Sequence, residues 1–286
     1  MPTFARICSV VLLGAALCLA TSAARAQGVL LQIRPRVGDT LQLRLDQQTE
    51  LSSRRRGAGG SARTVVWTMR LVSRAIVEQS VSNATIVRTI TDSARLTTTD
   101  EQSRALADKM ARMLQGQSVR LRIAPDGSVA LAESDARGAR RDMSEIMAVM
   151  PAAFPRGPVD VGYSWTREMP LPDGTKLAPA GGAVGGWLHA NFRLDSVSAD
   201  RGLAYVSMRG EMSADPDARA VPGANTPRLE SGVVTGTMLV DRQRGWLAET
   251  QFNIVAHSIV QLPDKAGTVM RFETRVTQRM KAVEKR

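Results

Sequence analysis

Residues 269–283 read VMRFETRVTQRMKAV, and apolar and polar side chains alternate along them. Met270, Phe272, Val276, Met280 and Ala282 fall on one face, while Arg271, Glu273, Arg275, Arg279 and Lys281 fall on the other. A period of two belongs to a β-strand with one buried and one solvated face, whereas a helix repeats at about 3.6 residues. At about 3.3 Å per residue such a strand reaches roughly 50 Å. That exceeds the usual strand length, so the sheet that holds it must twist and curve.

The same alternation extends outward. After Gly245, the residues Trp246, Ala248, Phe252, Ile254, Ala256 and Val260 alternate with Glu249, Gln251, Asn253, His257 and Gln261. Shorter strands read at 41–45, 65–77, 84–96, 119–123 and 129–131, the last two joined by the hairpin signal Asp126-Gly127. Others read at 165–171, 188–197, 203–212 and 233–240. Two helices interrupt the pattern. Asp100 is placed to cap residues 101–114, with Leu106, Met110, Met113 and Leu114 on one face and Gly116 beyond the end. Asp142 is placed to cap a second helix, with Glu145 at the capping-box position, an Ile146-Met147-Met150 stripe and Pro151 as its stop. Methionines at helical spacing read as core filling rather than as a ligand site. The expected fold is mainly β, of the α+β kind: one long, curved, half-barrel-like antiparallel sheet partly covered by two short helices.

Residues 36–134 and 160–250 also echo each other. Gly38 and Gly162 each open a strand at an offset of 124. Arg70-Leu71-Val72-Ser73 matches Arg193-Leu194-Asp195-Ser196 at 123, Gly116 matches Gly236 at 120, and Gly127 matches Gly245 at 118. Steadily shrinking offsets are what two copies with small deletions give, and chance similarity among β-rich segments is the competing account. Segments rich in Arg, Gly, Ala and Pro at 54–60, 135–141, 177–186 and 216–227 read as loops.

The start of the chain has another character. Arg6 precedes an apolar run from Ile7 to Ala20, and Ala24-Arg25-Ala26 has the small-x-small pattern of a cleavage site. Residues 1–26 therefore read as a signal peptide cut before Gln27, and 27–286 as a single β-rich domain exported to the periplasm or secreted. The run is short for a retained anchor, and Leu17 before Cys18 argues against a lipoprotein. Both cysteines, Cys8 and Cys18, lie in the removed segment, so the mature chain is expected to be stabilised by its core and not by disulfides. Processing takes 38 basic residues to 36 against 27 acidic ones, a balance of +9. That excess favours an anionic envelope component or lipid, or serves solubility alone; nucleic acid is not expected outside the cytoplasm. No later stretch is long enough to span a membrane, so an integral membrane protein is not expected.

No catalytic constellation stands out. The two histidines, His189 and His257, occupy polar strand positions and form no H-E-x-x-H pair, and neither G-x-S-x-G nor S-x-x-K occurs. The glycines of 181–186 lead into a strand and not into a helix N-terminus, so they offer no phosphate cradle. Asp215 and Asp217 lie in a Pro-rich loop with no apolar pocket to raise either pKa, and the Asn83-Ala84-Thr85 sequon reads as accidental. No cofactor or metal is expected. What remains are two basic clusters, Arg54, Arg55 and Arg56 with Arg63 nearby, and Arg137, Arg140 and Arg141. These six, 54–56, 137, 140 and 141, are the candidate contacts to a ligand or partner. At about 1 kcal/mol per basic residue near an anionic membrane, one cluster gives a weak, salt-sensitive attraction; a solvated loop is the plainer reading.

Phe154-Pro155 followed by Pro158-Val159-Asp160-Val161-Gly162-Tyr163-Ser164-Trp165 resembles the FP-x-x-x-V-x-V-G-x-x-W segment of a family of exported bacterial envelope proteins of unknown function. That family also carries a G-D-x-h-x-h-x-h strand, here Gly38 to Leu45, and a hairpin that corresponds to Gly116 to Gly127. The resemblance implies a shared β fold and an envelope location. It transfers no activity and no functional residue. The expectation is a non-catalytic module whose curved sheet encloses an apolar groove for a lipid or other amphiphile. The alternative is a structural or protein-interaction module of the envelope, and an enzyme comes third.

Overall fold

The computed structural model describes residues 28–55, 63–132, 154–171, 186–200, 202–214, 227–261 and 269–283. The strands are β1 (Thr40–Arg55), β2 (Arg63–Val81), β3 (Ala84–Thr98), β4 (Ser118–Ile123), β5 (Val129–Leu131) and β6 (Ser164–Leu171). They continue with β7 (Gly186–Val197), β8 (Leu203–Ser213), β9 (Arg228–Asp241), β10 (Trp246–Gln261) and β11 (Val269–Val283). All eleven join one antiparallel sheet in the order β5-β4-β3-β2-β1-β11-β10-β9-β8-β7-β6. Neighbours in the sheet are neighbours in the chain, except at the centre, where β1 pairs with β11 through Leu43 opposite Ala282, Leu45 opposite Met280 and Thr49 opposite Val276. The expected signal segment with its cysteines, the second helix and the basic cluster Arg137, Arg140 and Arg141 lie outside the described residues.

Hydrogen bonds from the N-terminal segment fix the curvature. Val29 and Val159, which leads into β6, exchange backbone bonds of 2.7 and 3.0 Å, and Ile33 N donates to Pro125 O in the β4–β5 turn at 2.9 Å. Four residues span at most about 14 Å, yet the two edge strands would stand roughly 48 Å apart on a flat sheet. The sheet is therefore rolled until its edges approach each other at this end. Phe154 N, bonded to Asp126 O at 2.7 Å, ties the same two places. The roll stays open, because β5 and β6 do not pair.

The strap formed by residues 28–39 seals this end. Val29, Leu31 and Ile33 alternate inward and are at most 6% exposed. Arg34 N then donates to Gly245 O (2.8 Å), and Gly38 N to Val77 O (2.9 Å). Gly245 has φ +63°, and a Cβ there would collide with the Arg34 carbonyl, so the close crossing needs glycine twice over. The turns at this end are short, and aspartates organise three of them. Asp126 accepts from Ser128 N, Asp200 from Gly202 N, and Asp241 from Gln243 N, each at 3.0 Å.

The helix departs from expectation in two ways. A 3-10 turn, Glu101–Ser103, precedes α1 (Arg104–Leu114), and Asp100 makes no side-chain capping bond. Its carboxylate instead accepts from Arg63 Nη2 at 2.6 Å and from the Ser103 hydroxyl, and a charged donor is the stronger partner. The packed stripe is Ala107, Met110, Ala111 and Leu114, which leaves Leu106 and Met113 exposed. Gly116, at φ +76°, follows the helix and donates to Thr91 O.

Positions related by the shrinking offsets share some geometry. Gly38 and Gly162 take φ of +90° and +92°, and Gly127 and Gly245 take +82° and +63°, whereas Gly236 sits inside β9. The β2–β3 ladder shifts register at Val72/Ser73 and the β7–β8 ladder at Leu194/Ser196. β11 has no counterpart in the first half.

Candidate functional site

Strand alternation sends one set of side chains into the roll and the other to solvent. The outer set is charged and cross-linked. Asp46 accepts from Arg44 and Arg70 at 2.7 Å each, Asp92 pairs with Arg74 at 2.8 Å, and Glu249 with Arg279 at 2.7 Å. The hydrogen bond from Arg44 is the main reason that the Asp46 carboxyl is held below its ordinary value, and Asp46 raises Arg44 in return. Such exposed pairs keep the outer surface solvated and add little stability.

The inner set is apolar but unevenly covered. Along the two arms it is tightly packed: Phe192, Leu194, Val206, Val240, Val77 and Val87 are at most 2% exposed. Tyr163, Trp165 and Phe192 stack in sequence, with ring centroids 6.3 and 5.6 Å apart. Although Leu43, Thr250, Phe252, Ser258 and Val260 are buried, several other inner side chains of the central strands are only half-buried. Leu45 and Leu51 of β1, Met270, Phe272, Val276 and Met280 of β11, and Ile254 and Ala256 of β10 share this state. Their register continues from strand to strand, with Leu45 opposite Met280, Val276 opposite Ile254, and Thr274 between Leu51 and Ala256. Gln47 opposite Gln278, with Gln47 Nε2 donating to Thr49 Oγ1 at 3.2 Å, sets a polar band into this apolar wall. A half-covered apolar wall with a few amide groups suits contact with an amphiphile.

One inner-face residue departs from the rest. On β6 the inward positions are Trp165, Arg167, Met169 and Leu171. Arg167 is half-buried, lies opposite Ala190, and donates from Nη2 to Phe154 O at 2.9 Å. Away from the strand ends it is the only charged residue that the described strands turn inward, and no carboxylate among the described residues pairs with it. The sequence reading passed over it, although its place in the alternation Trp165-Arg167-Met169-Leu171 already assigned it to the apolar face.

The basic residues singled out from the sequence fare differently. Arg54 and Arg55 end β1 opposite Arg271 and Met270, which places them at the unstrapped end of the roll. Arg63 is held there by Asp100. Arg56, like Arg137, Arg140 and Arg141, is outside the described residues, so these arginines are not brought into one cluster by the described geometry. His189 is exposed and 3.9 Å from Glu168, and His257 lies opposite Glu273 on another strand. Among the described residues no group of three His, Cys, Asp or Glu side chains is placed to hold a metal, and no helix is long and apolar enough to cross a membrane.

Two open clefts lie away from the inner wall. One, of about 420 Å³, runs behind the strap between Leu30, Asn83, Pro125 and Arg156. The other, of about 460 Å³, is a polar hollow beside His189, Arg193, Arg209 and Glu211.

No family model matches the chain, and no curated protein matches it. Among solved structures, a structure of lipid–protein interactions in lipovitellin matches with a TM-score of 0.50 at 7% identity, over 88% of this chain and 26% of that one. The two share a fold. This chain spans about a quarter of the lipovitellin chain, and at that identity the likeness concerns architecture alone. An outer membrane channel from Pseudomonas putida F1 aligns over 91% of this chain and 98% of its own at 9% identity, with a TM-score of 0.23 that is too low to bear on the argument.

Proposed function

We propose that this chain is a non-catalytic, exported envelope protein that binds a lipid or other amphiphile against the inner wall of its rolled sheet. The observation that carries the reading is the half-buried apolar surface of β1, β11 and the middle of β10, beside tightly packed arms. Burial of that surface by hydrocarbon would be favourable at about 25 cal/mol per Å² removed from water. The fold shared with lipovitellin, in a structure that concerns lipid–protein interactions, supports the same reading. The reading rests on the inner wall and on neither open cleft.

Native mass spectrometry of the protein, purified gently from an envelope extract, tests it. A discrete added mass that extracts into organic solvent as a lipid is the expected result. A clean apo mass, with no uptake from added lipid, would overturn it. The same spectrum reports the N-terminus, which begins at Gln27 if residues 1–26 are removed. The second reading, an interaction module, is favoured by the edge of β6 that no described strand pairs, together with Val161 and Tyr163, which are 55% and 48% exposed beside it.

A further inference from the structure

We infer that the amphiphile is anionic and that Arg167 receives its head group. The inference rests on the amphiphile-binding reading and specifies the ligand's chemistry. A guanidinium carries five N–H donors, and among the described residues this one has a single acceptor, the carbonyl of Phe154. Among the described residues its surroundings on the inner face offer no counter-charge. Trp165 and Met169 flank it along β6, and Ala190 of β7 stands opposite with Leu188 and Phe192 on either side. Four of these five are buried, at 7% exposure or less. A half-buried cation in apolar surroundings is costly unless an anion joins it. Carboxylate and phosphate both match the fork of a guanidinium in bidentate geometry. A head group held there leaves the hydrocarbon to lie over Met169 and Leu171, both half-buried, toward the unstrapped end.

Edge strands also use inward charges to discourage pairing with other chains, and that role makes a different prediction. The experiment titrates the mature chain, below the micelle concentration, with palmitate, monohexadecyl phosphate and hexadecanol. These share a tail and differ in the head. Wild type is expected to prefer an anionic ligand over the alcohol by about tenfold or more, as a charge-assisted hydrogen bond implies. Preference for palmitate or for the phosphate distinguishes a fatty acid from a phospholipid-like head. Arg167→Gln is expected to bring the anionic ligand to within about threefold of the alcohol while the alcohol still binds. Arg167→Lys, which keeps the charge and loses the fork, is expected to fall between. If wild type binds all three equally, or if Arg167→Gln keeps the preference, the inference is overturned while the amphiphile reading stands. If none of the three binds, both fall. Should Arg167→Gln not fold, the wild-type ratio and Arg167→Lys still decide.

Discussion

The two ends of the rolled sheet are built differently. At the strapped end, turns of two to five residues connect β2–β3, β4–β5, β7–β8 and β9–β10, and the strap is held by backbone hydrogen bonds to the β4–β5 and β9–β10 turns. The side chains there, from Leu31 to Phe154, Val240 and Leu194, are essentially inaccessible. At the opposite end β1–β2, β6–β7, β8–β9 and β10–β11 are joined by longer connections, and the last inner residues of β1 and β11, Leu51, Phe272 and Met270, are only half-buried, although Ser258 and Val260 beside them on β10 are buried. The strapped end has the construction of a folding core, whereas at the other end the inner face of β1 and β11 is left half-covered. Stability and binding should therefore separate along the strand axis.

The largest test of that separation is Phe192→Ala, which empties a fully buried ring site stacked on Trp165. It should cost about 3–5 kcal/mol in denaturant unfolding. Gly245→Ala comes next, because a side chain there meets the Arg34 carbonyl at positive φ. A loss of about 1–3 kcal/mol is expected, together with faster amide exchange at Ile33 and Arg34. Leu51→Ala, at the unstrapped end, should cost about 1 kcal/mol or less but weaken amphiphile binding measurably. Equal stability losses at Leu51 and Phe192 would erase the distinction between the ends. The smallest effect concerns pH. The Asp46 and Asp200 carboxyls are held below their ordinary value in the folded chain, Asp46 mainly by its hydrogen bond from Arg44 and Asp200 mainly by that from Ser198. A lowered folded-state value contributes stability that is present above the unfolded value and is lost as pH falls through the folded one. Acid titration of the melting temperature should thus show a small loss below pH about 4, reduced in Asp46→Asn.

Most of the sheet was legible because each strand has one solvated face, and alternation such as that of residues 269–283 records it locally. The strap was not read as an element, although Val29, Leu31 and Ile33 alternate with Leu30, Gln32 and Arg34. Its pattern is short, and its partners are turns rather than a strand. The pairing of β1 with β11 was invisible to a local reading, since no periodicity names a partner more than two hundred residues away. Asp100 looked like a helix cap because the residues after it are helical, and only the fold brings Arg63 to it. The basic clusters drew attention through composition. Arg167, a single residue, drew none, because its meaning comes from the apolar company that strand parity assigns to it.

The meeting of β1 and β11 also dictates an order of assembly. Each arm can zip from hairpin to hairpin, with loops far shorter than the seam requires to close at every step. The seam between the arms joins the first strand to the last and carries by far the greatest sequence separation in the sheet, so it is the slow, late event. Antiparallel pairing sets the start of β1 beside the end of β11, with Gln42 opposite Val283. A side-chain cross-link at that point, which leaves the strap attached to β1, would join the two arms into one meander from β6 to β5 and remove the long-range search that delays their meeting.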